Sequence, residues 1–491
     1  MPKRGRFQDF PLGPRPAGTP IHRWLFAELG RAILDGRLKP GARLPSTRSL
    51  ARQEAIARVT VVSVFGQLQA EGYVTSRIGS GTVVAAELPD RFFASSLPPA
   101  RPRLAPSRAS PSARGAAIAA RRPSVSAPTR AFGICAPGND CFPLRLWTQL
   151  TARRLRLSGG SLLEPGDPRG YRPLREAVAD YLNTRRSVHC DAEQIVIVSG
   201  AQQAFDFIAR ITLDPGDPVW MENPGYPGAV RAFAAAGAKV VPVPVDDAGL
   251  MIGAGVRRER APKLVYVTPA HQFPLGVMLS LERRLALLAL AQRQGFWILE
   301  DDYDGEYRYD VRPIGALQGH DRGGHVIYTG SFNKMMFPAL RLGYVVLPHR
   351  LARPFLSLRD AVDRFLPTLE QAVLADFIRE DYFERHVRRS KAVYQERRDV
   401  LLDASARHLA GLLDLQKTDA GFQALGWLPG TMPDVQAQAR AAEFDVDVTP
   451  LSGFYLDGAV KNALLLGFAS VPAPAICTGV ERLARALGRR R

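Results

Sequence analysis

The sequence contains few cysteines, no long apolar run and few acidic side chains near its N-terminus. Its four cysteines show no CxxC spacing, which argues against a zinc site and against a disulfide framework. No stretch approaches the ~20 apolar residues that span a bilayer, and the basic N-terminus lacks the apolar run of a signal peptide. These absences predict a cytoplasmic protein with reduced thiols, without a metal site and without contact to a membrane.

The scarcity of acidic residues is confined to the first quarter of the 491-residue chain. Residues 1–130 hold 21 lysines and arginines against 7 aspartates and glutamates, a net charge of +14, whereas residues 131–491 have a net charge of +4. A basic region of this kind favours a polyanionic partner such as nucleic acid. Because single hydrophobic cores stop growing near ~250–300 residues, the chain is expected to hold more than one domain.

A segment that cannot form a core separates the two regions. From 91 to 130 it holds eight arginines, seven prolines and no acidic residue. Such a composition predicts a semi-extended tether, whose arginines could also add sequence-independent affinity for DNA phosphates. We therefore predict three parts: a basic domain at 15–86, a linker at 87–132 and a large domain at 133–491.

The basic domain has the pattern of three short helices followed by a β-hairpin. Thr19 is expected to cap the first helix, with Pro20 at its first position. Ser46 can cap the second helix, and the third spans about residues 57–71. Two short strands then flank a glycine-rich turn. This order predicts a winged helix-turn-helix, whose partner is double-stranded DNA.

The segments GARLPSTRSLA at 41–51 and EGYV at 71–74 resemble the GntR family of bacterial repressors. The resemblance implies a DNA interface composed of Ser46, Thr47, Arg48, Arg58, Thr60, Gly79, Ser80 and Gly81. Ala57 and Val59 replace the serine and the polar residue that are usual in that family, so the recognition helix opens with few base-reading groups. Val61 and Val62 are expected to pack in the core.

Strands that alternate with helices from about residue 133 predict an α/β domain with a mostly parallel sheet. One buried strand turns through Ser199 and Gly200 into a helix, whose free N–H groups can hold an anion such as phosphate. Further along the chain, Tyr226 lies in a rigid turn. Its ring either stacks on a flat heterocycle or packs in the core.

Another strand ends at Glu300, Asp301 and Asp302, where α/β sheets bind their ligands. These carboxylates could bind Mg²⁺, or one of them could pair with a protonated ring nitrogen. Lys334 follows the next strand among aromatic and methionine side chains, where a lysine is costly unless it is paired or used chemically. It is either a surface lysine on an ordinary loop or an amine that forms a Schiff base with a carbonyl. A lysine at this distance favours the ring-nitrogen interpretation of the carboxylates.

Together these segments resemble the fold-type I pyridoxal phosphate enzymes, the aminotransferase superfamily, over most of residues 133–490. The resemblance implies that Lys334 forms the Schiff base with pyridoxal 5'-phosphate, while Asp301 keeps the pyridinium nitrogen charged. It also implies that Tyr303 hydrogen-bonds the ring oxygen and that Tyr226 stacks on the ring. The phosphate would be held by the amides of Ala201 and Gln202 together with Ser331 and Arg341.

A GntR-type module joined by a linker to an aminotransferase-like domain is the layout of the MocR/GabR family of bacterial transcription regulators. That resemblance implies a nucleoid-associated regulator that responds to an amine, an amino acid or a B6 vitamer. It also implies a head-to-tail homodimer in which each DNA-binding module lies on the partner's large domain. The alternatives are a working aminotransferase with an accessory DNA-binding domain, and a DNA-binding protein whose large domain no longer binds the cofactor.

Several positions depart from the pattern of these families. Pro165 replaces a tyrosine that reaches the phosphate of the neighbouring subunit, Leu275 replaces a threonine or serine, and Asn333 replaces the serine before the lysine. Cofactor affinity is therefore expected to be lower than usual. Phe273 stands where aminotransferases have an asparagine. The segment 461–464 lacks the arginine that clasps a substrate carboxylate, so we expect at most residual transaminase activity.

Overall fold

The computed structural model of the protein describes residues 12–77, 81–86, 88, 110–112, 115–116, 130–310, 315–458 and 460–488. These residues fall into two compact units, which divide between Ser110 and Pro111. Most of the predicted linker, together with the wing residues Gly79 and Ser80, lies outside the described residues. No helix within the described ranges is both long and apolar enough to cross a membrane.

The N-terminal unit contains three helices and a two-stranded hairpin. Helix α1 spans Ile21–Leu34, α2 spans Thr47–Gln53 and α3 spans Arg58–Ala70. Strand β1 (Val74–Arg77) pairs antiparallel with β2 (Gly81–Val84). Apolar side chains from all five elements form one core, so the predicted winged helix-turn-helix is confirmed.

Two local predictions are wrong in this unit. Helix α1 begins at Ile21, because Pro20 has an extended backbone (φ −58°, ψ 137°) and is the residue that precedes the helix. Its carbonyl accepts the first helical hydrogen bond from Trp24, so Thr19 does not occupy the capping position. The second error concerns Val62. Because helical residues advance by about 100° each, Val61 is buried on the inner face of α3 whereas Val62 is 48% exposed.

The C-terminal unit alternates helices with strands. Its helices are α4 Leu144–Leu157, α5 Arg172–Arg185, α6 Ala201–Thr212, α7 Pro227–Ala235, α8 Ile252–Arg258, α9 Leu281–Gln294, α10 Phe332–Met335, α11 His349–Val362, α12 Thr368–Arg379, α13 Tyr382–His408, α14 Asp434–Glu443 and α15 Ala473–Ala486. Its strands are β3 Ile195–Val198, β4 Pro218–Asn223, β5 Lys239–Asp246, β6 Gly249–Leu250, β7 Leu264–Val267, β8 Trp297–Asp302, β9 Val326–Ser331, β10 Gly343–Val346, β11 Asp414–Leu415, β12 Gln423–Trp427, β13 Thr449–Pro450 and β14 Ala463–Gly467.

The strands form two sheets. The larger has the order β3-β10-β9-β8-β7-β4-β5-β6, and the smaller has the order β11-β12-β14-β13. In the larger sheet β10 runs antiparallel to both neighbours and β6 runs antiparallel to β5, while the other pairs that form hydrogen bonds are parallel. Strands β3, β7, β9 and β10 are buried along their whole length, as expected of a sheet with helices on both faces. The predicted α/β domain is confirmed.

The topology places the candidate site at one edge of the larger sheet. Strands β8 and β9 are parallel neighbours, and their register pairs Asp301 with Thr329. Their carboxyl ends therefore deliver Asp301 and Ser331 to the same edge, where the short helix α10 follows with Lys334. Ligand sites of open α/β sheets lie at this edge.

Candidate functional site

A small cavity of about 60 Å³ lies at the carboxyl ends of β8 and β9. Its walls are formed by Cys135, Ala201, Tyr226, Tyr266, Phe273, Asp301, Tyr303, Ser331 and Lys334. Six of the eight cofactor-binding residues suggested by the sequence are among these. The other two, Gln202 and Arg341, lie beside it, as described below.

Lys334 reaches the cavity from helix α10, which starts directly after β9. The side chain of Ser331 caps this helix, since its hydroxyl accepts a hydrogen bond of 3.3 Å from the backbone N–H of Asn333. The Lys334 Nζ donates to the backbone carbonyl of Cys135 at 2.5 Å. The amine is therefore half-buried and points into the cavity, which is not the position of a lysine on an ordinary surface loop.

The three carboxylates at the end of β8 have three different environments. Glu300 accepts hydrogen bonds from the backbone N–H groups of Leu317 (2.7 Å) and Gln318 (2.8 Å). Asp302 forms a buried ion pair with Arg186. Since successive side chains of a strand point to opposite faces, Asp301 points away from both neighbours.

Asp301 is the carboxylate that faces the cavity. Its Oδ2 accepts a hydrogen bond of 2.6 Å from the hydroxyl of Tyr266. Burial raises the pKa of Asp301 to about 7, because the charged form loses its hydration. Among the described residues no group of three or more acidic, histidine or cysteine side chains could hold a metal ion.

Tyr303 stands next to Asp301 in the cavity wall and belongs to a buried chain of polar groups. Its hydroxyl oxygen lies 3.0 Å from Nδ1 of His271, and the same nitrogen lies 2.8 Å from Oδ2 of Asp304. The rings of Tyr303 and His271 are stacked, with centroids 5.9 Å apart. These contacts fix the orientation of the Tyr303 hydroxyl in the cavity.

Tyr226 closes another side of the cavity. Its ring meets Phe273 edge-on, with centroids 5.4 Å apart, and its hydroxyl accepts a long hydrogen bond of 3.4 Å from the side chain of Gln202. Burial raises the pKa of Tyr226 to about 12. The phenol is therefore neutral, and its ring lies in the wall of the cavity instead of deep in the core.

The N-terminus of α6 forms a polar hollow beside the cavity. Gly200 precedes the helix with φ 106°, and a Cβ atom built on it would lie 3.1 Å from Nδ2 of Asn333 and 3.9 Å from Nη1 of Arg341. A side chain at this position would fill the space between these groups. The first N–H groups of α6, from Ala201 onward, have no helical partner and favour an anion.

These residues fit pyridoxal phosphate. An amine, a single carboxylate, a phenol and an aromatic wall surround one cavity, and a glycine cradle with an arginine at a helix N-terminus lies beside it. A phosphorylated aldehyde with a basic ring nitrogen needs this set of groups.

The structure shows where the departures from the family patterns lie. The Asn333 side chain accepts a hydrogen bond of 3.0 Å from the backbone N–H of Leu342 and so fixes the turn after α10. Leu275 lines neighbouring cavities. The amine of Lys461 lies 5.6 Å from the ring centroid of Trp427, and Pro165 is exposed.

Three contributors escaped the sequence analysis: Cys135, Tyr266 and His271. The first supplies a backbone carbonyl, which no side-chain pattern reveals. Tyr266 lies in a fully buried strand. The only signal in the sequence is that a buried tyrosine hydroxyl needs a hydrogen-bond partner. His271 lies between β7 and α9, and its contact with Tyr303 depends on the fold.

The candidate DNA surface lies on α2 and α3. Ser46 caps α2 by accepting a hydrogen bond of 3.1 Å from the N–H of Ser49, and Arg58 Nε donates a 3.5 Å hydrogen bond to the hydroxyl of Thr47. Arg48 is exposed and Thr60 is half-buried. Thus the helix residues predicted to bind DNA lie together around the start of α3.

One arginine that packs against the wing was missed by the sequence analysis. Gly81 has φ 81°, and a Cβ atom built on it would lie 2.9 Å from Nε of Arg43. The guanidinium group of Arg43 therefore packs against the described part of the wing, where the absence of a side chain at Gly81 makes room for it.

Comparison with known proteins assigns each unit to a family. The family model of aminotransferase class I and II matches residues 136–483, and that of bacterial regulatory proteins of the gntR family matches residues 23–84. Among solved structures, the kynurenine aminotransferase of Pyrococcus horikoshii in complex with PMP is similar, with a TM-score of 0.68 and 29% identity over 73% of this chain and 91% of that one.

Two curated relatives match both units. The chain is 39% identical to the probable rhizopine catabolism regulatory protein MocR of Rhizobium meliloti, over 96% of this chain and 94% of the relative. It is 34% identical to the HTH-type transcriptional regulator TauR of Rhodobacter capsulatus, over 98% and 99% of the two chains. The chain therefore belongs to the MocR/GabR family of bacterial transcription regulators, in which a GntR-family domain is joined to an aminotransferase class I and II domain.

Proposed function

We propose that this protein is a transcription regulator that binds double-stranded DNA and holds pyridoxal phosphate in its large domain as part of a sensor. The sensed molecule is an amine, an amino acid or a B6 vitamer. The observation that carries the proposal is the shared cavity of Lys334 and Asp301. Of the three carboxylates at the end of β8, Asp301 is the one that lines this cavity, whereas Glu300 and Asp302 are held by protein groups outside it.

Each group of the cavity has a defined task in this proposal. Lys334 would hold the aldehyde carbon of the cofactor, and Asp301, whose pKa is raised to about 7, would share a proton with the ring nitrogen. When bound, the cofactor supplies an electrophilic carbon that an amine can attack reversibly. Tyr303 would donate to the ring oxygen, and Tyr226 would cover the ring.

The phosphate would lie in the hollow at Gly200. The N–H groups of Ala201 and Gln202, the hydroxyl of Ser331 and the guanidinium of Arg341 would hold it by charge-assisted hydrogen bonds. Because these groups come from α6, α10 and the turn after it, cofactor binding would tie together three segments at the sheet edge.

Sensing needs coupling between the cavity and the DNA-binding domain. A ligand that binds one arrangement of the protein more tightly than another shifts the population toward that arrangement. By thermodynamic reciprocity, the ligand then changes the affinity for DNA by the same factor as DNA changes the affinity for the ligand. We propose a head-to-tail homodimer, bound to DNA in the cytoplasm, as the assembly in which this coupling acts.

A regulator is favoured over an enzyme by the segment in which aminotransferases carry the arginine that clasps the substrate. Transamination requires a substrate carboxylate to be clasped so that its Cα–H bond is oriented correctly. The segment 461–464 offers a lysine over Trp427, and Arg258 is already engaged with Asp457 at 2.7 Å. Neither group is a free bidentate clamp.

The first test is a stoichiometric titration with pyridoxal phosphate. The protein is expected to gain a visible absorbance band that saturates at one cofactor per chain, and Lys334→Ala is expected to lack it. Lys263→Ala, which removes an exposed lysine, should behave as the natural chain does. Borohydride reduction followed by peptide mass spectrometry should locate the cofactor on Lys334. Modification spread over exposed lysines, with no band lost in Lys334→Ala, would contradict the proposal.

The second candidate function is a working aminotransferase, because the cavity brings Lys334, Asp301 and Tyr303 together. It predicts sustained turnover of amino donors with keto acids by the cofactor-loaded protein. The sensor predicts the cofactor band together with retention of a DNA duplex in a gel, and turnover that stops after about one equivalent. Continued turnover without any DNA retention would establish the second candidate.

A further inference from the structure

The start of helix α3 presents apolar side chains to solvent. Val59 is 74% exposed and Val62 is 48% exposed, whereas Val61 and Val64 are buried against the rest of the domain. With about 100° between successive helical residues, Val59 and Val62 share the outward face with Arg58. Two neighbouring valines on this face contribute nothing to the described core.

Two polar side chains near these valines contact other residues of the domain. Arg58 Nε donates to Thr47, and the hydroxyl of Ser63 lies 3.3 Å from Nε2 of His22. Between them the helix offers methyl groups and few donors or acceptors for base edges. A surface that reads bases here must therefore read an apolar feature.

The charged side chains around Val59 and Val62 indicate which kind of partner binds this surface. Residues 37–66 contain six basic side chains and one acidic side chain, Glu54. All six basic side chains are exposed, Arg43, Arg48 and Arg58 among them. Such a setting is complementary to a phosphate backbone and unfavourable for a partner surface that is itself basic.

The major groove of DNA offers one apolar group. Each base pair displays donors and acceptors there, and thymine alone adds a C5 methyl group. The N-terminal residues of a recognition helix are the ones that reach base edges. We propose that Val59 and Val62 read thymine methyl groups, so that thymines at two fixed positions of each half-site determine where this protein binds.

This inference rests on the proposed DNA-binding function and makes it more specific. Burial of one methyl group contributes a roughly fourfold gain in affinity. Arg48 and Arg58 would supply contacts that hold the helix in register, and the two valines would supply the preference for thymine. The same duplex with uracil at these positions should bind more weakly.

The experiment begins with the full-length protein, saturated with pyridoxal phosphate, selecting duplexes from a randomised library. In the selected duplex each thymine is then replaced by deoxyuridine, which removes the methyl group and keeps base pairing. We expect a loss of roughly fourfold at two positions per half-site and no loss at the other thymines. Equal affinity for every deoxyuridine duplex would overturn the inference, while leaving the proposed DNA binding intact.

Variants assign each methyl group to a side chain. Val59→Ala should abolish the effect of deoxyuridine at one position, and Val62→Ala should abolish it at the other. Once the valine side chain is shortened, the thymine methyl group has lost its contact, so its removal costs no further affinity. Gln69→Ala, an exposed change near the end of the same helix, should leave both effects in place.

Two further outcomes also decide the question. If the library yields no bound duplex, the proposed DNA-binding function fails and this inference fails with it. If the valine variants change the mass of the protein in sedimentation while the response to deoxyuridine stays at zero, the valines contact another protein copy and the inference is wrong.

Discussion

The cavity of the large domain and the recognition helix of the small domain both depart from the usual distribution of side chains. The first buries charged groups, and the second exposes apolar groups. Around the cavity, charged groups such as Asp301, Asp302 and Arg186 are buried. On the helix, Val59 and Val62 are exposed. Burying a charge costs several kcal/mol unless it is paired, whereas exposing a single valine costs little.

This difference decides which measurement reports on which region. Buried charges affect the free energy of unfolding, because each has to be compensated inside the protein. Exposed valines leave stability unchanged and should show their effect only when a ligand covers them. Stability experiments therefore test the account of the cavity, and DNA-binding experiments test the account of the helix.

The largest effect is expected from breaking the buried ion pair beside the cavity. Arg186→Ala leaves the Asp302 carboxylate buried without its partner, which should lower the free energy of unfolding by about 3–5 kcal/mol. Arg185→Ala is the matched control, because Arg185 forms an exposed pair with Glu384 and should cost at most about 1 kcal/mol. Urea denaturation of the two variants measures both values, and equal losses would contradict the account.

A smaller effect is expected from the pH dependence of the buried carboxylates. Burial raises the pKa of Glu222 to about 7, so between about pH 4.5 and 7 the folded protein keeps a proton that the unfolded chain releases. The free energy of unfolding should therefore fall as pH rises through this window.

Glu222→Gln removes this titration and keeps an oxygen that can accept the 2.6 Å hydrogen bond from Thr268. Its stability should fall less between pH 5 and pH 8, by about 2–3 kcal/mol at most. The remaining decline belongs to groups such as Glu300 and Asp301, whose pKa values burial also raises to about 7. Urea titrations at the two pH values compare the chains, and an unchanged decline in the variant would show that Glu222 is ionised in the folded protein.

On the DNA side, Arg58→Ala should weaken binding by about 1–2 kcal/mol, roughly tenfold, and reduce the salt dependence of binding by about one charge. Arg440→Ala provides the same change of charge on an exposed helix of the large domain. It should leave affinity nearly unchanged. Fluorescence anisotropy at several salt concentrations separates these cases; parallel losses in both variants would mean that Arg58 acts only through net charge.

The smallest effect on stability is expected at the exposed face of helix α3. Val62→Ser should change the free energy of unfolding by less than about 0.5 kcal/mol, because the side chain is already in water. Val61→Ser, one position along the helix, should cost about 2 kcal/mol or more, since it leaves a gap and buries a hydroxyl. If Val62→Ser destabilised the domain as strongly as Val61→Ser, the exposed face would have to be part of the core.

Helices and strands could be predicted from the sequence better than contacts between side chains. The third helix, predicted over about residues 57–71, spans Arg58–Ala70 in the structure. The exposed side of Val62 was missed, because two adjacent valines look like core until the phase of the helix is known. Pro20 was placed one position too far into α1, because its fixed φ suits both the first helical residue and the residue before it.

At the cavity, too, the sequence predicted the position of the site but not the contacts within it. A strand that ends in three carboxylates predicts a site, but only the structure shows that Asp301 lines the cavity while Asp302 pairs with Arg186 and Glu300 with backbone N–H groups. Contacts such as Tyr266 to Asp301 join segments that are 35 residues apart. No local pattern encodes them, because they depend on the order of strands in the sheet.

The central claim is that the cavity and the DNA-binding domain are coupled. Its most direct test is the affinity of the full-length protein for its selected duplex, measured with and without saturating pyridoxal phosphate, in the natural chain and in Lys334→Ala. The account predicts a change of about fivefold or more in the natural chain and none in the variant. Equal affinities with and without the cofactor in the natural chain, once occupancy of Lys334 has been confirmed, would contradict it.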